Sequence, residues 1–220
     1  MRAKRSTICY CPSPLGIVIA KQLDKLEFGQ EVIGMEYMGD EAYWNHKFKN
    51  RLDEFLQPEK LLLQDIDLFR FGKFGLDLAC GDGRNMIPLA QRGHMMTGLD
   101  FSEKAIERLR RFSKEQMVHV ETFQADLSKR VFLENLPKFD FIIINHYRMC
   151  PDFYLDLIEH LNDGGYLWVN GFAALPISNP DITEKDLLSK KDFEHIQYML
   201  LDKKEYENGD RKFIRYCFRK

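Results

Sequence analysis

Apolar runs and amphipathic segments alternate along most of this chain, and the alternation is clearest in its central part. The run 74–80 predicts a strand, and Gly81 and Gly83 follow it where the chain must turn. The run 95–99 predicts a second strand, which ends on Asp100. Two short apolar runs separated by a segment of helical length are typical of parallel strands joined by a helix.

The same alternation continues on both sides of this unit. Aromatic residues of the segment 40–51 recur at helical spacing, and the apolar positions of 59–69 predict another helix. Further along, the pattern predicts a helix that Ser102 caps, strands at 118–124 and 138–145, a helix at 152–161 and a strand at 166–170. The run 138–145 is apolar almost throughout, which suits a central parallel strand buried on both faces.

The last part of the chain has a different pattern. Residues 195–206 and 211–219 are both rich in β-forming types, and Asn208 and Gly209 lie between them. Asn-Gly is a strong signal for a tight turn, so we expect an antiparallel hairpin. The complete order predicts an α/β protein: a doubly wound, Rossmann-like sheet of five parallel strands plus a C-terminal antiparallel hairpin, with helices on both faces.

The length of 220 residues suits one α/β domain with some chain left for an extension. We expect residues 40–220 to form that domain and residues 1–39 to be an N-terminal extension or arm. The pattern in 1–39 predicts no function. Its Cys9 and Cys11 lack the spacing of a zinc site, so no metal is predicted.

Composition narrows the classes of partner. The formal net charge is −2, which gives no basic field for DNA or an anionic membrane, so a nucleic-acid substrate is disfavoured. No apolar run approaches the roughly 20 residues of a membrane span, and no membrane partner is predicted. The 5 cysteines are an odd number and scattered, which favours a cytoplasmic protein over a disulfide framework. The sequence leaves the oligomeric state open.

The glycine bend and the acid after the second strand point to a ligand. Gly81 and Gly83 let backbone N–H groups approach a ligand at the start of the next helix. Asp100 can accept hydrogen bonds from two ribose hydroxyls. The unit therefore predicts a ligand that contains a nucleoside. A dinucleotide site would need a third glycine where Met86 stands, which argues against NAD or FAD, and no phosphate-loop motif is present.

The run 77–83, DLACGDG, resembles the first motif of the class I S-adenosylmethionine-dependent methyltransferases, acid-x-Gly-x-Gly-x-Gly, with Ala79 in place of the first glycine. Its continuation GRN, 83–85, is similar to the tellurite-resistance-type branch, which acts on small molecules. The resemblance covers about residues 40–172. It implies S-adenosyl-L-methionine as the cofactor and methyl transfer to a small-molecule acceptor as the activity.

The resemblance also implies roles for the residues at the ends of the strands. The backbone at 79–83 would lie against the methionine part of the cofactor, and Asp77 would bind its ammonium group. Asp100 would accept from the ribose hydroxyls, Phe101 would pack on the adenine, and Asp126 would accept from the adenine amino group. The implied cofactor-binding residues are Asp77, Ala79, Cys80, Gly81, Gly83, Asn85, Asp100, Phe101, Asp126, Leu127 and Asn145.

The residues after the fourth strand are the candidates for chemistry. By the same resemblance, Asn145 and His146 would lie beside the sulfonium. His146 could take a proton from the acceptor, and Arg148 could hold a carboxylate or phosphate. In the alternatives, His146 only forms a hydrogen bond to the backbone, and Arg148 caps a helix or pairs with Asp152.

A second hypothesis about the function also stays open: a non-catalytic protein that binds S-adenosylmethionine and acts through a partner. A third, weaker one is an NAD-linked enzyme.

Two further features have open interpretations. Tyr43 and Trp44 either cover the ligand pocket or belong to a helix that only caps the sheet. Pro88 falls inside a helix predicted to begin near Arg84, where its missing N–H is costly unless it lies within the first turn.

Overall fold

The computed structural model describes residues 40–220, so the predictions for 1–39 lie outside the described residues. The predicted boundary before residue 40 stays a prediction. The strands are β1 Phe74–Leu78, β2 Met95–Asp100, β3 Val120–Gln124, β4 Phe139–Asn145, β5 Leu161–Phe172, β6 Leu200–Asn208 and β7 Arg211–Arg219. The α-helices are α1 Glu41–Lys49, α2 Lys60–Asp65, α3 Met86–Gln91, α4 Glu103–Glu115 and α5 Phe153–Glu159. The 3-10 segments are Ile66–Phe69, Arg130–Leu133, Glu184–Asp186 and Lys190–Met199.

One sheet of seven strands organises the described residues, in the order β3-β2-β1-β4-β5-β7-β6. The first five strands pair in parallel, and β7 pairs antiparallel with both β5 and β6. The predicted α/β fold, with five parallel strands and a hairpin, is confirmed. The direction of winding changes between β1 and β4, and the carboxyl ends of strands at such a point form a crevice that binds ligands.

Both faces of the sheet are covered. The first face packs against α2, α3 and α4, through buried residues that include Leu62, Met86 and Leu109. The second face packs against α5 and the 3-10 segments Arg130–Leu133 and Lys190–Met199, with Leu157 and Phe193 among the buried side chains. Neighbouring residues of β4 alternate between the two clusters, as the pleat of a strand requires.

Two α-helices begin at N-cap residues of the types that favour this position. Asp40 accepts a hydrogen bond from the Tyr43 N–H (2.8 Å) at the start of α1, and Ser102 accepts from the Ala105 N–H (3.1 Å) at the start of α4. Helix α3 begins at Met86, two residues later than predicted. Pro88 is therefore its third residue, where a backbone N–H has no partner within the helix, so the proline is tolerated.

Two predicted boundaries were wrong. Residues 190–199 form 3-10 turns, and the strand predicted from 195 begins at Leu200. Phe193 and Ile196 are buried three residues apart, and this spacing suits 3-10 geometry better than a strand. Strand β5 begins at Leu161 rather than at 166, because the glycines at 164–165 form an irregularity within the strand instead of a stop before it.

A buried ion pair joins the hairpin to α2. The Arg215 guanidinium lies 2.8 Å from an Asp65 carboxylate oxygen and 2.9 Å from Asp202. Asp65 also accepts a hydrogen bond from the indole N–H of Trp168 (2.9 Å). The Arg215 side chain is only 3% exposed, so removing it leaves the Asp65 charge largely desolvated.

We therefore expect Arg215→Ala to lower the free energy of unfolding by about 3 kcal/mol. The matched control is Lys212→Ala on the same strand, whose ion pair with Glu207 is exposed, and a change below about 0.5 kcal/mol is expected. Urea denaturation of both variants measures the difference. Equal, small changes would show that the pair does not hold the hairpin.

None of the helices within residues 40–220 is both long enough and apolar enough to cross a membrane.

Candidate active site

A tight bend follows β1 at the crevice. Ala79, Gly81 and Gly83 all have positive φ, of 56°, 55° and 87°. A side chain is strained in this region, which explains the two glycines, and Ala79 adopts it at some cost. A Cβ on Gly83 would lie 2.8 Å from Leu109 of α4, so the bend also packs closely on that helix.

The bend is joined directly to Asp100 at the end of β2. The Gly81 N–H donates to one carboxylate oxygen (2.9 Å) and the Ser102 N–H to the other (2.9 Å). The side chain is buried, and this burial raises the pKa of Asp100 to about 6, although the two N–H donors oppose the shift. Each oxygen retains a second lone pair, so the carboxylate can accept two further hydrogen bonds.

Asp77 lies on the neighbouring strand, paired in register with Gly98 of β2. It is 2% exposed, and its buried Oδ2 has no hydrogen-bond partner among residues 40–220. Burial, and then the Asp100 charge, raise the pKa of Asp77 well above its usual value, while Arg84 opposes the shift. A buried carboxylate oxygen without a donor is costly, and a cationic ligand group would satisfy it.

Helix α1 covers the bend through Phe48. A Cβ on Gly81 would lie 3.3 Å from the Phe48 ring. The Tyr43 hydroxyl donates to Asp181 in the loop after β5 (2.8 Å). Phe48 follows Trp44 by four residues, so helical spacing was the sequence signal that could have identified it. A ligand contact of Tyr43 or Trp44 stays a prediction.

A salt bridge holds the end of α1 over the bend. The Asp82 carboxylate is buried and lies 3.1 Å from Arg51 and 3.3 Å from Arg108 of α4. Arg108 also donates to the carbonyl of Leu52 (2.9 Å). The Arg108 side chain is only 11% exposed. The bend and its covering helix are therefore fixed to each other.

The predicted adenine side follows β3. Asp126 accepts hydrogen bonds from the backbone N–H (3.0 Å) and hydroxyl (2.6 Å) of Ser128. Burial opposes these bonds, but together with Lys129 they lower the pKa of Asp126, which stays ionised. Its side chain is about a third exposed, at 32%, and Leu127 beside it is buried. Phe101 is half-buried, and its carbonyl accepts from Gln124 (2.9 Å).

Two of the predicted cofactor-binding residues lie at the bend but have structural contacts there. Asn85 is buried, and its Oδ1 accepts from the backbone N–H of Glu59 (2.9 Å). Cys80 is buried, and burial followed by the charges of Asp100 and Asp77 raises the pKa of its thiol well above the usual value. The Cys80 thiol is therefore neutral. A direct cofactor contact of either side chain stays a prediction.

Asn145 and His146 close the other side of the crevice, at the end of β4. The Asn145 Oδ1 accepts from the Asn170 side-chain amide (2.8 Å). His146 has a positive φ of 58°, and its ring stacks on Phe213 with centroids 4.8 Å apart. Burial, and then the charges of Arg84 and Arg211, lower the pKa of His146 to about 3, so its resting form is neutral.

The Arg148 guanidinium forms hydrogen bonds to other residues of the protein. Its Nε and Nη2 lie 3.2 Å and 2.5 Å from the two carboxylate oxygens of Asp192, and Nη1 donates to the Lys185 carbonyl (2.9 Å). Asp192 is 2% exposed. Arg148 therefore pairs with Asp192 rather than with Asp152, the alternative considered from the sequence. Its contact with an acceptor stays a prediction.

Sequence reasoning missed a group of polar residues that faces His146. The Glu59 carboxylate lies 3.4 Å from His146 Nε2, and it accepts from Arg84 (2.8 Å) and from the Tyr206 hydroxyl (3.1 Å). Glu59 precedes α2, and the sequence pattern identified it only as a residue at a helix start. Tyr206 lies on the hairpin, 147 residues away along the chain, so no local signal linked the two.

Comparison with known protein families agrees with this geometry. A family model described as a methyltransferase domain matches residues 76–165, which run from the middle of β1 to the first part of β5. The matched segment includes the bend, Asp100 and the end of β4.

Two curated relatives match in sequence. The probable S-adenosyl-L-methionine-dependent methyltransferase TehB of Haemophilus influenzae is 32% identical over 98 residues, 41% of this chain and 33% of TehB. The ubiquinone biosynthesis O-methyltransferase of Rickettsia conorii is 26% identical over 154 residues, 66% of this chain and 51% of that enzyme. The chain thus spans about a third of the length of one relative and about half of the other.

Two solved structures share the fold. The crystal structure of Haemophilus influenzae TehB has a TM-score of 0.59 and 22% identity, and covers 82% of this chain and 66% of TehB. The structure of the N-methyltransferase NodS from Bradyrhizobium japonicum, in complex with S-adenosyl-L-homocysteine, has a TM-score of 0.58 and 15% identity. The match covers 82% of this chain and 98% of NodS. At this identity the likeness concerns the fold.

The prediction of S-adenosyl-L-methionine as the family's cofactor is confirmed by these matches. Over the matched segment the chain therefore resembles the class I S-adenosylmethionine-dependent methyltransferases, TehB among them.

Proposed function

We propose that this protein transfers a methyl group from S-adenosyl-L-methionine to a small-molecule acceptor. The observation that carries the proposal is the pair of buried acids at the glycine bend. Asp77 has a carboxylate oxygen without a partner among residues 40–220. Asp100 accepts from the N–H groups of Gly81 and Ser102 (2.9 Å each), and each of its oxygens keeps one spare lone pair. One ligand with a cationic end and a ribose satisfies both acids.

The residues present fit this cofactor. Asp77 would receive its ammonium group, the backbone at 79–83 would lie against its methionine part, and Asp100 would accept from both ribose hydroxyls. The predicted adenine contacts are Phe101, Leu127 and Asp126. Of these, Asp126 is ionised and partly exposed, which leaves it able to accept from an amino group.

When bound, the cofactor supplies a methyl group already activated by a positive sulfonium. The protein then has to align the acceptor and exclude water. Helix α1, held over the bend by Phe48 and Asp82, supplies the exclusion. His146 is neutral at rest, so its ring can accept a hydrogen bond or a proton from the acceptor.

Two observations favour the alternative, a non-catalytic protein that binds S-adenosylmethionine and acts through a partner. Arg148 is tied to Asp192, and the lowered pKa of His146 makes its imidazole a weak base. Both hypotheses predict cofactor binding, and they differ in turnover. Release of S-adenosylhomocysteine should therefore be measured with a panel of phenols, amines, thiols and carboxylates. Release with any of them supports an enzyme, and binding without release supports the alternative.

The class of acceptor and the location are part of the proposal. The net charge of −2 supports a small molecule over a nucleic acid. The free thiols of Cys80, Cys150 and Cys217 support a reducing, cytoplasmic location.

Cofactor affinity should depend on pH through Asp100. Because the pKa of Asp100 is about 6, the carboxylate that accepts from the ribose is protonated in acid. We expect the Kd for S-adenosylmethionine to be about tenfold higher at pH 5 than at pH 7. Isothermal titration calorimetry at pH 5, 6 and 7 measures this.

The control for the pH series is Asp100→Asn, which should bind weakly and show no such change. The expected loss of S-adenosylmethionine affinity at low pH does not come from unfolding caused by protonation of Asp100. A pKa raised on folding means that the folded state binds protons more tightly, so this group adds stability as the pH falls from 6 towards 4. A Kd for the native protein that is equal at pH 5 and pH 7 would contradict the assignment.

A further inference from the structure

Buried polar side chains form a cluster between the glycine bend and the ends of β4, β5 and β6. Glu59 lies at its centre and is 7% exposed. One carboxylate oxygen accepts from Arg84 (2.8 Å) and lies 3.4 Å from His146 Nε2, and the other accepts from the Tyr206 hydroxyl (3.1 Å). Tyr206 in turn accepts from the Asn170 amide (3.0 Å). Four separate parts of the chain therefore meet at one carboxylate.

The backbone fixes Glu59 in this position. Its N–H donates to Asn85, which immediately follows the bend, and Glu59 is the residue before α2. The helix does not use this side chain, because no capping hydrogen bond from it to α2 is present. The carboxylate is thus held for contacts outside its own segment.

The surroundings of His146 restrict how the ring can act. The ring stacks on Phe213 (centroids 4.8 Å apart) and packs at a tilt against Phe172 (5.4 Å), and these two contacts restrict its rotation. Nε2 is buried and has no hydrogen-bond partner among residues 40–220; the Glu59 carboxylate faces it at 3.4 Å and, when ionised, can only accept a hydrogen bond. The hydrogen of a neutral ring is therefore favoured on Nε2. This leaves the lone pair on Nδ1.

We propose that Glu59 is a positioning residue for methyl transfer: it holds His146 in the Nε2–H tautomer, so that Nδ1 receives the proton of a hydroxyl or amine acceptor. This inference rests on the proposed function. The acceptor's O–H or N–H bond breaks and its proton bonds to Nδ1. The electron pair on oxygen or nitrogen forms the bond to the methyl carbon, and the pair of the broken carbon–sulfur bond stays on sulfur.

The charges around the ring explain why a carboxylate is needed. Arg84 and Arg211 both disfavour an imidazolium at His146. Among residues 40–220, Glu59 is the carboxylate that pairs with the ring, and Glu59 also accepts hydrogen bonds from Arg84 and Tyr206. A proton arriving at Nδ1 creates a cation that Glu59 can stabilise, as the acid of an acid–histidine pair does. A soft anionic acceptor brings no proton and would make the pair unnecessary.

The tautomer can be read directly by ¹⁵N–¹H correlation NMR of the full chain with ¹⁵N-labelled histidine. The chain has 6 histidines, and the signal that disappears in His146→Asn identifies this one. Asn tolerates positive φ, so that variant keeps the local backbone. We expect a neutral Nε2–H ring at pH 7. A Nδ1–H ring in the native protein would overturn the inference, and this measurement needs neither an acceptor nor a variant of Glu59.

A variant tests the link to Glu59. In Glu59→Ala, we expect the His146 signal to become a mixture of both tautomers, while the Kd for S-adenosylmethionine changes less than about threefold. Turnover with a phenol or primary amine as the probe acceptor should fall at least about tenfold, in kcat rather than in KM. The matched control is Glu54→Ala, an exposed acid in the same segment, which should change none of these.

The possible outcomes distinguish a failure of the proposed function, methyl transfer, from a failure of the inferred role of Glu59. If the native protein fails to bind S-adenosylmethionine, the proposed function fails, whereas the native NMR spectrum still decides the tautomer. Turnover only with a thiol or another soft anion would keep the function and overturn the inferred acceptor class. An unchanged tautomer in a folded Glu59→Ala variant would overturn the role of Glu59.

Discussion

Asp100→Ala is expected to weaken S-adenosylmethionine binding by at least about 100-fold. The carboxylate is buried, and in the bound state it would accept from two ribose hydroxyls, each worth about 1.5–3 kcal/mol as a hydrogen bond to a charged group. The substitution also leaves the N–H groups of Gly81 and Ser102 without their acceptor. Both effects act at the point where the bend meets β2. Isothermal titration calorimetry gives the two affinities.

The matched control for this variant is Glu103→Ala, an exposed acid three residues further on, which should bind normally. Circular dichroism of both variants shows whether the fold is kept. Normal S-adenosylmethionine binding by a folded Asp100→Ala variant would mean that the pocket has been placed wrongly.

His146→Ala is expected to have the opposite profile. The ring lies on the acceptor side, after β4, so the Kd for S-adenosylmethionine should change less than about threefold. Turnover should fall by about 10²–10⁴-fold, the usual contribution of a positioned proton acceptor. Release of S-adenosylhomocysteine, with an acceptor identified by the panel, measures this.

An exposed histidine provides the control, because His195→Ala removes an imidazole outside the crevice and should keep full turnover. Unchanged turnover in His146→Ala would remove His146 from the chemistry, and it would favour the non-catalytic hypothesis if the native protein is also inactive.

Most of the fold could be predicted because its signals are local. Apolar runs identified the five parallel strands, and Asn208-Gly209 identified the hairpin turn between β6 and β7. The errors lie where the local signal is ambiguous. Phe193 and Ile196 belong to a segment rich in β-forming types, but tertiary packing buries both in 3-10 geometry.

The site also has a part that could be predicted from local signals and a part that could not. The acids Asp77 and Asp100 stand at strand ends that the sequence itself marks, so the cofactor side of the crevice could be predicted. The acceptor side could not, because its contacts join distant segments. Glu59 meets Tyr206 across 147 residues, and Arg148 meets Asp192 across 44. A single sequence carries no local pattern for such pairs.

The central claim is that one pocket, formed by the glycine bend and Asp100, binds an adenosyl sulfonium compound. Side-by-side calorimetry of the native protein with S-adenosylmethionine and with NADH tests it most directly. The account predicts one equivalent of S-adenosylmethionine bound per chain, lost in Asp100→Ala, and no heat of binding with NADH. Binding of NADH in place of S-adenosylmethionine, or of neither, would contradict it.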